Sequence, residues 1–130
     1  VNNLILGSGE TLFFGAATYV NPYDVHDVEI RRNRIGQDPS WTGNASKNLI
    51  EWKGGSRFWI SGNIIEEDLG TGQPVSVTGT PRTLAEGWST TRVDDIIIEY
   101  NVVRRTKTAF AFSGSDTPTN AARRLVVRHN

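Results

Sequence analysis

Glu51 and Lys53 stand two residues apart in Asn48-Leu49-Ile50-Glu51-Trp52-Lys53, where Ile50 and Trp52 are the alternating apolar residues. In an extended strand, residues two apart share a face, so Glu51 and Lys53 project together, away from Ile50 and Trp52. Arg82 and Asp116 lie in polar segments that follow later strand-like stretches. Two bases and two carboxylates gathered beside a groove could hold an anionic sugar, the cations pairing with its acid groups. Trp41 and Trp88, both in loop-like segments, could stack on sugar rings or could equally be lids packed over an edge. For Glu51 and Lys53 the competing reading is a solvated strand face, since outward charges are ordinary on sheets.

Other chemistry is thinly represented. There is no cysteine, so disulfides, zinc-thiolate sites and thiol nucleophiles are excluded. His26 and His129 stand singly, with no Asp and Ser partners at a telling spacing, and read as surface residues. Asp94-Asp95 directly precedes the apolar run Ile96-Ile97-Ile98 and reads as a turn. No cofactor is implied. Ca²⁺ would need several acidic oxygens at one place, and the aspartates are not clustered. Fourteen Lys+Arg against fourteen Asp+Glu give no formal net charge, which argues against a nucleic-acid partner or an anionic membrane surface. No apolar run approaches the length of a membrane span.

The positioning elements are legible from a repeat. The pattern apolar, any, apolar, any, any, Asn, any, apolar occurs as Val28–Ile35, Phe58–Ile65 and Ile96–Val103. A truncated copy ends at Asn130, and the tail of another is Asn3-Leu4-Ile5. The asparagines Asn3, Asn33, Asn63, Asn101 and Asn130 keep a register that chance alternation would not. Alternation within each copy is strand periodicity. Asn suits the corner where the strand turns, because it tolerates the left-handed backbone region. Stacked coil on coil, such amides could bond one another along the axis.

A second strand precedes each full copy: Leu12 and Phe14, Ile50 and Trp52, Val75 and Val77, Phe110 and Phe112 supply its apolar residues. Each coil is then two or three short strands, and stacked coils build the continuous core that one coil lacks. Helix is not required anywhere. The expected fold is all-β, a right-handed single-stranded parallel β-helix of about four coils, with residues 1–130 as one segment. Val1 already falls inside a repeat, and no Met precedes it. The expectation is that both termini were cut from a longer β-helix domain, leaving uncapped ends that associate end to end when isolated.

Stacking converts equivalent residues into columns. One runs Arg31, Ser61, Glu99, Arg128; two more run Gly36, Glu66, Arg104 and Gln37, Glu67, Arg105. These read as solvated structural pairs. Beside the second strand run Phe13, Glu51, Ser76, Ala111 and then Gly15, Lys53, Thr78, Ser113.

The asparagine-marked coils resemble the right-handed parallel β-helix repeat proteins of the pectate-lyase-like superfamily, and more narrowly an uncharacterised group of bacterial exported β-helix proteins. The narrower resemblance is carried by Gly9–Gly15, Glu29–Asn33, Pro39-Ser40-Trp41, Lys47–Lys53, Thr80-Pro81-Arg82 and Gly114-Ser115-Asp116. It implies a secreted, periplasmic or cell-surface location and a polysaccharide or glycan partner. Pectate lyases use an Arg or Lys base beside Ca²⁺ held by acidic residues, and no matching aspartate cluster stands here. Asp94-Asp95 is similar to the paired aspartates of polygalacturonase-type hydrolases. The coil itself is shared by enzymes, adhesins and phage tailspikes. Two functional readings follow: a β-helix segment that binds or processes a polysaccharide, such as the acidic polymers the resemblance implies, through Glu51, Lys53, Arg82, Asp116, Trp41 and Trp88; or a non-catalytic rod with no site in this segment. Lyase, hydrolase, epimerase and no catalysis all remain open.

Overall fold

The computed structural model describes residues 1–15, 25–41, 47–70, 72–78, 93–113 and 122–130. Each coil contributes one strand to each of three sheets, and every pairing is parallel. The first sheet contains β1 (Leu4–Leu6), β4 (Arg34–Gly36), β7 (Ile64–Glu66) and β10 (Val102–Arg104). The second contains β2 (Glu10–Phe14), β5 (Asn48–Trp52), β8 (Val75–Thr78) and β11 (Phe110–Ser113). The third, with the longest strands, contains β3 (His26–Arg31), β6 (Gly55–Ser61), β9 (Val93–Glu99) and β12 (Arg123–Arg128). The chain is a right-handed parallel β-helix of about four coils. No helix occurs among the described residues.

The repeat read from the sequence is the register of the stack. Val28 pairs with Phe58 and Phe58 with Ile96; Ile30 pairs with Ile60 and Ile60 with Ile98. Phe58, Ile96, Ile30, Ile60 and Ile98 face inward and, with Ile35, Ile50, Ile65, Val75 and Val77, form one buried column-built core, against which the partly buried Val28 packs. Each such side chain, fully buried, stabilises the fold by about 1.5–3 kcal/mol. At the corner between the second and third sheets, Phe14 stacks on Trp52 at 5.6 Å and Phe58 meets Trp52 edge-on at 5.7 Å. Such ring pairs add about 0.5–1.5 kcal/mol beyond their buried area.

The five asparagines form one column. Each backbone N–H and each side-chain amide donates to the Oδ1 of the asparagine in the next coil: Asn3 to Asn33, Asn33 to Asn63, Asn63 to Asn101 and Asn101 to Asn130. The amides of Asn63, Asn101 and Asn130 also donate to the carbonyls of Ile30, Ile60 and Ile98. Ile35 and Ile65 point inward just after the ladder and are fully buried, while Ile5 and Val103 pack against the core from the outer coils.

The left-handed backbone expected at the asparagines lies one residue earlier. Asn2, Arg32, Gly62, Tyr100 and His129 carry φ between +53° and +66°. The turn is made by the preceding residue, which leaves each Asn free to point inward and bond. A second left-handed column runs Asp27, Arg57, Asp95 and Arg124, with φ from +53° to +59°. Asp94 and Asp95 therefore sit inside β9 rather than in a turn before it. Asp94 pairs in register with Ser56 and Arg123. Side chains in this column pair across coils, Arg57 with Asp27 at 2.7 Å and Arg124 with Asp95 at 2.8 Å.

The reading of Glu66 as a solvated partner is also corrected. Glu66 is 1% exposed. It stands in register between Gly36 and Arg104 as expected, but Arg34, Arg104 and Arg105 all bond its carboxylate. Gly36 permits the close approach of the β4 and β7 backbones: a Cβ there would lie 2.2 Å from the Glu66 carbonyl oxygen. Arg105 also bonds Glu67.

Candidate functional site

β5 places Glu51 in the outward column Phe13, Glu51, Ser76, Ala111. The alternation that buries Ile50 and Trp52 puts it there. Yet Glu51 is only 2% exposed, so the solvated-face reading is corrected: its carboxylate is enclosed by cations. Lys47 Nζ donates to Glu51 Oε1 at 3.2 Å and Oε2 at 3.1 Å, and to Glu10 Oε1 at 3.1 Å. Lys53 Nζ lies 3.4 Å from Glu51 Oε1 and 5.4 Å from the ring centroid of Phe13. Glu51 and Lys53 thus converge as expected. Lys47, Glu10 and Phe13 complete the cluster and were not singled out as site residues by the sequence. Lys47 lies just before the strand and reaches forward four residues to Glu51 and across to Glu10 in the neighbouring coil, contacts no alternation rule signals.

The electrostatics fix the protonation of the two central groups. Burial pushes the Glu51 carboxyl up, but hydrogen bonding with Glu10 and Lys47, the Lys53 charge and Asn48 outweigh it and hold it below the usual carboxylate range. For Lys47, burial lowers the ammonium's value, and the bonds to Glu51 and Glu10 more than reverse this. At neutral pH Glu51 is ionised and Lys47 protonated. Neither is poised near the working pH, as a general acid or base would be. What the cluster supplies is fixed charge, two ammonium groups of which Lys47 is the more exposed, and the partly exposed Phe13 ring. That is the equipment of a binding surface.

Trp41 is half-buried and follows an Asp38 turn, in which Ser40 N–H and Oγ donate to Asp38 Oδ1 and Trp41 N–H to the Asp38 carbonyl. It stands in the connection that enters β5. Arg82, Trp88 and Asp116 lie outside the described residues. Asn3, Asn33, Asn63, Asn101 and Asn130 are consumed in the ladder and serve the stack. His26 bonds its neighbour Asp27, and His129 stacks on Tyr100. Among the described residues no group of acidic or histidine side chains gathers to hold a metal ion, and no helix is long and apolar enough to cross a membrane.

No protein-family model, curated protein or solved structure matches this chain. The fold therefore rests on the strand order and register, and function on the chemistry of the surface.

Proposed function

We propose that this chain is a polysaccharide-binding segment of a pectate-lyase-like β-helix, holding an acidic glycan along the outer face of the β2–β5–β8–β11 sheet. The observation that carries this reading is the Lys47–Glu51–Lys53 cluster beside Phe13. Lys53 and Lys47 face the glycan's carboxylates while Phe13 packs against a sugar ring. Glu51 orients both ammonium groups and stays ionised. Trp41, and Arg82, Trp88 and Asp116, which lie outside the described residues, are the further contacts of this reading. The parent protein on this reading is bacterial and secreted or displayed at the cell surface, where such polymers occur.

The test is titration with polygalacturonate. Lys53→Ala should weaken binding several-fold, and Glu51→Gln, which frees both lysines from their anchor, should alter it as well. Unchanged affinity in both variants removes the site. A second reading, a non-catalytic rod, is favoured by the number of carboxylates consumed in cross-coil pairs: Asp27, Glu66, Glu67, Asp95 and Glu99 each bond an arginine of another coil. Absence of binding to any glycan on a broad array would select it.

A further inference from the structure

Along the asparagine ladder, with Asn3 and Asn33 in its lining, a shallow groove of about 370 Å³ crosses three coils. One wall is the left-handed column Asn2, Arg32, Gly62; the other is Leu4, Arg34, Ile64. The two walls flank each ladder residue in turn, so the groove runs parallel to the stack axis. Gly62 opens it. With no side chain at that position, the Arg32 stem extends across, its Cγ 3.6 Å from where a Cβ would stand.

Two arginines, Arg32 and Arg34, line the groove. Arg32 is exposed and has no carboxylate partner among the described residues. Arg34, on the other wall, shares the Glu66 carboxylate with Arg104 and Arg105, and Arg105 also bonds Glu67, so two carboxylates face three guanidiniums. Further along the axis the same two columns continue as Tyr100 and Val102, and Tyr100, 58% exposed, stacks on His129 at 5.1 Å. One arginine pair in the second coil and a stacked aromatic pair beyond the third, on columns whose rungs stand about 4.8 Å apart, fit a linear polymer that carries both an anionic group and a sugar face.

We propose that this corner groove is a second binding site, for a linear anionic glycan lying along the stack axis with a carboxylate or sulfate held between Arg32 and Arg34. It shares its ligand class with the reading above but none of its residues. Arg32 has no carboxylate partner among the described residues, so Arg32→Ala should leave the urea midpoint unchanged. The 130-residue chain is titrated with polygalacturonate, dextran sulfate and neutral dextran. Arg32→Ala should weaken one or both anionic polymers roughly fivefold, the worth of one exposed ion pair, with Arg32→Lys recovering part of it. The polymer that loses affinity names the anion. In the isotope-labelled chain the same polymer should shift the amide resonances of Asn33 and Gly62. Unchanged affinity for both anionic polymers in Arg32→Ala overturns the proposal, as does equal weakening of neutral dextran. Lys53→Ala in the same assay reads the sheet site separately: loss there with none in Arg32→Ala sinks the groove alone.

Discussion

The side-chain amide nitrogen of Asn63 lies 2.9 Å from Oδ1 of Asn101, and the backbone nitrogen of Asn63 lies 3.0 Å from the same oxygen. One carbonyl oxygen thus takes two donors from the coil beside it. Repeated from Asn3 to Asn130, this arrangement satisfies a row of backbone groups at a corner where the sheets do not pair them.

Asn63→Ala should destabilise the chain by about 2–4 kcal/mol, because it removes one buried amide and leaves the Asn33 donors and the Ile30 carbonyl without partners. Asn63→Asp keeps the acceptor but loses the donor and buries a charge. It should be at least as damaging at neutral pH and less so in acid. Urea melts at pH 7 and pH 4 check both; a midpoint unmoved by Asn63→Ala would show that the ladder adds nothing to stability.

Gly36→Ala and Gly62→Asn should part company. The first drives a Cβ into the Glu66 carbonyl, 2.2 Å away, and should cost at least about 1–3 kcal/mol through backbone displacement. The second places in the left-handed column a residue that Asn2 already occupies there, with only the flexible Arg32 stem nearby. It should change stability by less than about 0.5 kcal/mol. Equal midpoints for the two variants would contradict the close approach at Gly36.

Stability should fall in acid. Burial raises the Glu66 carboxyl, but the bonds from Arg104 and Arg34 and the charge of Arg105 bring it below its ordinary value. Hydrogen bonds from Arg57, Arg124 and Arg128 do the same for Asp27, Asp95 and Glu99. Groups with depressed folded values stabilise fully above the unfolded carboxylate range, about pH 4, and lose that contribution as pH drops through the folded values. Denaturation midpoints should therefore be flat from pH 7 to pH 5 and decline below pH 4. Glu66→Gln should make the decline shallower. A midpoint that rises in acid would mean the clusters are net repulsive.

The strands at the two ends of each sheet have one unpaired edge among the described residues, and Leu4, Phe112 and Val126 are exposed there. The 130-residue chain on its own should associate as concentration rises. Sedimentation over a hundredfold concentration range measures this, and a monomer throughout would contradict it.

Much of the architecture was legible because a solenoid writes its register into the sequence. Asn33 and Asn63, thirty residues apart, align because every residue between them is spent on one circuit. The pairing of Glu66 with arginines was legible in the same way, as a column. Its burial was not, because strand parity says only that Glu66 points outward, and the closing guanidiniums come from three separate positions. The left-handed residue was assigned to Asn rather than to Arg32 or Tyr100, since both positions lie in the turn and only the backbone angle separates them. Glu51 and Lys53 were found by alternation. Lys47 is not legible as a site residue because its reach depends on side-chain length, which periodicity does not encode. Arg32 is not legible either, because a lone arginine in a turn carries no pattern.

The ladder also separates the tolerance of a coil from its length. Asn63 and Asn101 are 38 residues apart in the chain, against 30 for the pairs before them, yet their bonds match those of the shorter steps. Extra residues are absorbed without altering the rise between rungs. Such a chain can lengthen its loops by insertion, or lose or duplicate a whole circuit by recombination between equivalent asparagines, and still present intact neighbours to the junction. Joining Asn33 directly to Ile64 would shorten the rod by one rung and leave the order of every remaining column unchanged.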